Sequence, residues 1–112
     1  MAATTNLTID QGTTYSVTFT VTDETGSTRD LTAYTARAQM RRSYYTTSNT
    51  SFTVNITSPG TEGEITLSLS SNQTTGLRPG RYVYDVELVA NASSTVERIV
   101  EGIVTVYPEV TK

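Results

Sequence analysis

Apolar and polar positions alternate with a period of two along most of this chain, the pattern of strands with one buried and one wet face. Leu7 and Ile9 flank Thr8 in a short first strand, and Gln11-Gly12 breaks it. Tyr15, Val17, Phe19 and Val21 alternate with Ser16, Thr18, Thr20 and Thr22, giving a second strand with a hydroxyl outer face. Asp23-Glu24-Thr25-Gly26-Ser27 is a turn cluster. After Leu31, a third strand has Tyr34, Ala36, Ala38 and Met40 inward and Thr35, Arg37, Gln39 and Arg41 outward. Positions 43–51 are polar apart from Tyr44 and Tyr45 and read as a loop.

Phe52, Val54 and Ile56 mark a fourth strand, and Ile65, Leu67 and Leu69 a fifth. The turn between them holds Pro59, Gly60 and Gly63. Positions 71–76 suit one helical turn with Ser71 as N-cap, and Leu77 is expected to plug the core beneath it. Tyr82, Tyr84, Val86 and Leu88 form the inward face of a sixth strand. The last strand runs from Val96 to Tyr107, where Pro108 ends it. Its parity is split: Val96, Val100, Val104 and Val106 share one face, and Ile99 and Ile103 the other. A bulge at Glu101-Gly102 is expected to let both sets face inward in turn.

The pattern therefore predicts an all-β fold, an immunoglobulin-like two-sheet antiparallel β-sandwich of about seven strands without a disulfide. A small closed barrel is the runner-up. The expected core includes Tyr15, Val17, Phe19, Tyr34, Met40, Val54, Ile65, Leu67, Tyr82, Tyr84, Val86 and Val104. The 112 residues fit one domain, with 1–5 and 109–112 as flexible termini.

Composition strengthens the strand reading. The chain holds 24 Thr and 11 Ser, and charged residues make up only 17%. Thr is β-branched and suits a pleated surface with one solvated face. Net charge is -3, the lone Lys is Lys112, and the Arg residues are scattered apart from Arg41-Arg42. Without a basic stripe, nucleic acid is not an expected partner. No apolar run reaches membrane-spanning length, so a membrane is not expected either. Positions 1–5 carry no basic or apolar leader pattern, so synthesis in the cytoplasm is the expectation.

The chain has no Cys, no His and no internal Lys. Its hydroxyls lack a base to activate them, and thiolate metal or redox chemistry is excluded, so neither an enzyme nor a cofactor is expected. Asp85 and Glu87 share a strand face, with Glu97 and Glu101 on the neighbouring strand, giving an acidic patch on the outside of the sheet. In an immunoglobulin-like sandwich the third strand lies beside the sixth, so Arg37 and Arg41 face this patch, and cross-strand ion pairs are the favoured account. Asp23-Glu24 with Asp30 is an oxygen-rich turn of the kind that can bind calcium weakly, but its spacing matches no EF-hand loop and a solvated turn is favoured. All five Asn residues, Asn6, Asn49, Asn55, Asn72 and Asn91, begin an Asn-X-Ser/Thr triplet. The abundance of Ser and Thr accounts for one such triplet but not readily for five of five; coincidence is still favoured, because no signal-peptide pattern is present to bring the chain to a glycosylation machinery. Tyr44 and Tyr45 are the candidate loop contact, because Tyr offers large amphipathic area at low entropy cost. The candidate protein-contact residues are thus Tyr44, Tyr45, Arg37, Arg41, Asp85 and Glu87.

Four stretches carry a resemblance. They are Leu7-Thr-Ile-Asp-Gln-Gly12, Asp30-Leu-Thr-Ala-Tyr-Thr-Ala-Arg-Ala-Gln-Met-Arg41, Leu77-Arg-Pro-Gly-Arg-Tyr-Val-Tyr-Asp-Val-Glu-Leu88 and Arg98-Ile-Val-Glu-Gly-Ile-Val-Thr-Val-Tyr-Pro-Glu-Val-Thr111. Together they resemble the small immunoglobulin-like domains of tailed-bacteriophage virion proteins, of the baseplate upper protein or tail-associated type. Ala33 stands where relatives often carry Gly. The resemblance implies a virion structural role in the tail, baseplate or fibre-attachment region, made in the host cytoplasm. It implies other virion proteins as partners and a homo-oligomer within a symmetric assembly. A capsid decoration or cement protein is the alternative within the virion. Outside it, a cell-surface adhesion module or a carbohydrate-binding module is the competing class.

Overall fold

A computed structural model of the protein describes residues 3–22, 26–43, 49–57 and 60–110. The predicted alternation becomes seven principal strands. These are β2 (Leu7–Asp10), β3 (Tyr15–Thr20), β4 (Tyr34–Arg41), β6 (Thr53–Ile56), β7 (Glu64–Leu69), β8 (Gly80–Ala90) and β9 (Val96–Tyr107). Two short segments, β1 (Ala3–Thr4) and β5 (Thr50–Ser51), add to them.

The strands form two sheets. The larger has the order β1-β9-β8-β4-β5, with β2 also on β9; the smaller has the order β3-β7-β6. This is the strand distribution of an immunoglobulin-like sandwich. The ladders are antiparallel except at β1 and β2, which both run parallel to β9. Residues 3–5 are therefore not a loose terminus. Ala3 and Thr4 pair with Val100 and Glu101, and Thr5 N–H donates to the Glu101 carbonyl at 2.9 Å. Two residues are too few to show an alternation, so β1 left no period in the sequence. At the other end, Glu109 N–H donates to Gln11 Oε1 at 3.2 Å, which tethers the chain beyond β9.

The buried residues make one cluster between the sheets. Met40, Ile65, Leu67, Tyr82, Tyr84, Val86 and Val104 are buried as expected. Tyr15, Val17, Phe19, Tyr34 and Val54 are only partly buried against that cluster. For Tyr15, Val17 and Phe19 the cause is position: β3 is an edge strand, open on one side.

The helical turn α1 (Ser71–Thr75) is capped one residue earlier than the sequence suggests. Ser70 is the N-cap and completes a capping box with Gln73, which a Ser-Ser pair leaves ambiguous in sequence. Thr74 is fully buried below it, its hydroxyl donating to the Thr13 carbonyl at 2.7 Å. Leu77 is buried as predicted. At the start of β8, Tyr82 Oη donates to the Arg78 carbonyl at 2.7 Å. That bond has the form of the tyrosine corner of immunoglobulin-type folds and locks the turn to the start of β8.

In β9 the bulge lies at Ile99, ahead of the expected Glu101-Gly102. Val86 pairs with Val100 and Glu87 with Arg98, so Ile99 is the extra residue. Ile99 and Val100 are both buried, and the parity then holds regular through Gly102 to Val106. Gly102 does not bulge; it lets the first strands pass. A Cβ there would collide with the Thr5 carbonyl oxygen, where the chain steps from β1 to β2. Asn6 Oδ1 stitches that step by accepting from Ile103 N–H at 3.1 Å.

Candidate functional site

The outer face of the larger sheet is set by residues of like parity on three adjacent strands. Their register aligns them in rows. Arg37 lies opposite Glu87, which lies opposite Arg98. Gln39 lies opposite Asp85, which lies opposite Glu101, and Arg41 lies opposite Val83, which lies opposite Ile103. Three cations and three carboxylates thus share one face in a near-alternating grid.

The ion pairs follow the grid. Arg37 Nε donates to Glu87 Oε1 at 2.8 Å. Arg98 reaches diagonally to two carboxylates, with Nε 3.3 Å from Asp85 Oδ2 and Nη1 3.2 Å from Glu101 Oε2. Arg41 Nη2 donates to Gln39 Oε1 at 3.1 Å. A half-open depression of ≈ 430 Å³ opens among these side chains, lined by Arg37, Gln39, Arg41, Asp85, Glu87 and Arg98 together with Ala38, Val83 and Tyr84. Ile103 is exposed beside it.

The pairing does not fully offset burial at the centre. The Asp85 carboxyl is held above its ordinary pKa, first because it is partly withdrawn from water, and then because Glu87 and Glu101 repel its charge more than Arg98 relieves it.

Four of the six residues singled out from sequence, Arg37, Arg41, Asp85 and Glu87, are therefore brought together around this depression. Tyr44 and Tyr45 fall in 44–48, outside the described residues. Glu101 joins the face as expected, but Glu97 does not. The Ile99 bulge turns Glu97 to the inner parity, opposite Leu88, at the end of the sheet. There it forms a two-pronged pair with Arg29, Nη1 to Oε2 and Nη2 to Oε1, each 2.9 Å. Arg29 also donates to Tyr34 Oη at 3.2 Å and lies 5.0 Å from the centre of the Tyr34 ring. The hydrogen bonds from Arg29 hold the Glu97 carboxyl below the usual range.

Arg98 is the residue that sequence reasoning missed. With a bulge at Glu101-Gly102 it shares the parity of Val100 and would face the core. Only the earlier bulge carries it outward. The signal was present: Ile99 and Val100 are adjacent apolar residues, and burying both requires an extra residue there rather than further on.

Of the turn weighed for weak calcium binding and read as solvated, Asp23 and Glu24 lie outside the described residues. Asp30 uses its carboxylate within its own turn, accepting from the Thr32 backbone N–H at 2.9 Å and from the Thr32 hydroxyl. Among the described residues no group of three or more His, Cys, Asp or Glu side chains is arranged to hold a metal ion. No helix among them is long and apolar enough to cross a membrane.

No protein-family model matches the chain, and no curated protein matches it. Among solved structures the chain is similar to InlP of Listeria monocytogenes, at 17% sequence identity and a TM-score of 0.49 over 95% of this chain. The chain spans 28% of the length of that protein chain.

Proposed function

We propose that this chain is a bacteriophage virion structural protein acting by protein–protein contact in the tail, baseplate or fibre-attachment region. In this reading the outer face of the larger sheet is the contact surface. The observation that carries the site is the cross-strand grid of Arg37, Arg41 and Arg98 with Asp85, Glu87 and Glu101 around one depression. A charge-balanced face of this kind is soluble when free. It offers a partner hydrogen-bond donors and acceptors in fixed rows, and the ion pairs already formed lower the side-chain entropy lost on docking. The placement in a virion is supported by the resemblance of the four sequence stretches to phage immunoglobulin-like domains. A capsid decoration role uses the same face and differs in copy number.

The test is quantitative mass spectrometry of purified particles. A copy number in small multiples of three or six is the expected result, hundreds of copies would move the protein to the capsid, and absence from the particle would overturn the reading. Replacing Arg37 and Arg41 together by Glu should lower incorporation while the isolated protein stays folded, since both side chains are outside the core. Incorporation at the wild-type level would show that this face is not the contact.

A further inference from the structure

The sheets have four edges, and three of them are blunted. On the larger sheet, β5 is two residues long, and the β1–β2 edge is broken by the step at Thr5 and Asn6. On the smaller sheet, β6 is four residues long. The fourth edge, β3, is six residues of Tyr-Ser-Val-Thr-Phe-Thr in an unbroken ladder with β7. It has no charge, no Pro, no Gly and no bulge, the devices by which exposed edges are usually protected.

The ladder also fixes which groups face the opening. Val21 N–H donates to the Gly63 carbonyl at 2.7 Å, in register with Phe19 opposite Ile65 and Val17 opposite Leu67. By that parity the backbone groups of Tyr15, Val17 and Phe19 go to β7, and those of Ser16, Thr18 and Thr20 point outward from the edge. On the inner side, Tyr15, Val17 and Phe19 stay partly exposed where the smaller sheet ends.

We infer that β3 pairs antiparallel with β3 of a second copy of this chain about a two-fold axis at Thr18. Ser16 of one copy then faces Thr20 of the other, and their outward N–H and C=O groups exchange hydrogen bonds. On the inner side Val17 of each copy stands beside Phe19 of the other, covering the apolar surface left half-open in the single chain. The strand carries no charge, so self-pairing brings no like charges face to face. The pairing is closed: the joined sheet ends at the short β6 on both sides and does not propagate. An unrelated extended peptide is a poorer occupant, because the hydroxyl positions at Ser16, Thr18 and Thr20 form no pockets to select its side chains. The contact is small beside stable obligate interfaces, so association depends on concentration.

Light scattering and sedimentation from on the order of 1 μM to 1 mM are expected to show a monomer passing to a dimer. Thr18→Lys places like charges at the axis on a solvent-exposed position and should weaken association at least about tenfold, with the variant still folded at concentrations where the unaltered protein is a monomer. Concentration-dependent slowing of amide exchange at Ser16, Thr18 and Thr20 of the unaltered protein is the second readout, and it decides the matter even where the variant folds poorly. A monomer throughout the range, a dimer insensitive to Thr18→Lys in a folded variant, or exchange at these amides independent of concentration would each overturn the inference. These measurements need no virus particle, so their failure leaves the virion reading standing, and failure of the virion reading leaves them unaffected.

Discussion

In the smaller sheet, β7 and β3 carry the same alternation and lie side by side, yet they bury their apolar residues to different depths. Ile65 and Leu67 are 0% exposed and Leu69 1% exposed on β7, whereas Tyr15, Val17 and Phe19 on β3 remain half-buried. In the larger sheet, β8 shows the same full burial at Val86 and Leu88, and it too has a strand on each side. Within the smaller sheet, alternation thus specifies which side of a strand turns inward, and place in the sheet specifies how far from water it goes; in the larger sheet Leu7 and Ile9 are buried although β2 pairs only with β9.

The largest expected consequence is at Leu67 and Phe19. Leu67→Ala should cost about 2–5 kcal/mol, the range for a fully buried Leu whose cavity cannot collapse. Phe19→Ala should cost less, below about 3 kcal/mol, although it removes more atoms, because part of the Phe19 ring already meets water. Urea unfolding of the two variants measures both. A greater loss at Phe19 than at Leu67 would show that the edge strand is covered in solution.

A smaller effect is expected where the start of β9 meets the turn before β4. Glu97→Gln removes the two-pronged pair with Arg29, and with both side chains partly exposed the loss should stay below about 1 kcal/mol at neutral pH. The folded chain holds the Glu97 carboxyl below its ordinary pKa. Its stabilising contribution is therefore present above the unfolded value of about 4.3 and is lost as pH falls through the lower folded value. The stability curves of Glu97→Gln and the unaltered protein should converge in acid.

The smallest effect carries the opposite sign. Asp85 has its pKa raised in the folded chain, so its charge opposes folding above that raised value and has no effect below about 3.9, where the carboxyl is protonated in both states. Asp85→Asn should slightly stabilise the protein at neutral pH, and the gain should disappear on acidification. A loss of stability at neutral pH would mean that the link to Arg98 outweighs the withdrawal from water. The two carboxylates, one on the inner parity and one on the outer, thus answer the same titration in opposite directions.

Much of this was legible beforehand, for a physical reason. The strands, their inward residues and the meeting of Arg37 with Glu87 follow from a period of two and from the neighbours that a sandwich assigns. The rest depended on one inserted residue or on position in the sheet. Ile99 decided that Arg98 faces outward and Glu97 inward, because one extra residue inverts every side chain before it. The half-burial of Phe19 was invisible because an edge strand and a central strand with one wet face read alike. β1 was silent because two residues show no alternation, and the residues that hold it, Val100 and Glu101, lie in β9.

Leu7 pairs with Val104, so β2 finds its partner only in β9. Closing that loop is entropically costly before any contact offsets it, and all-β chains with such distant pairings fold slowly, over about milliseconds to seconds. A ribosome that has released β2 through β8 has not yet supplied the strand onto which β2 docks. Until β9 is released, the larger sheet lacks a central member. Shortening that stretch before Val104 would remove the partner of both β2 and β8 and leave the sequence without a folded state, however well its remaining strands alternate.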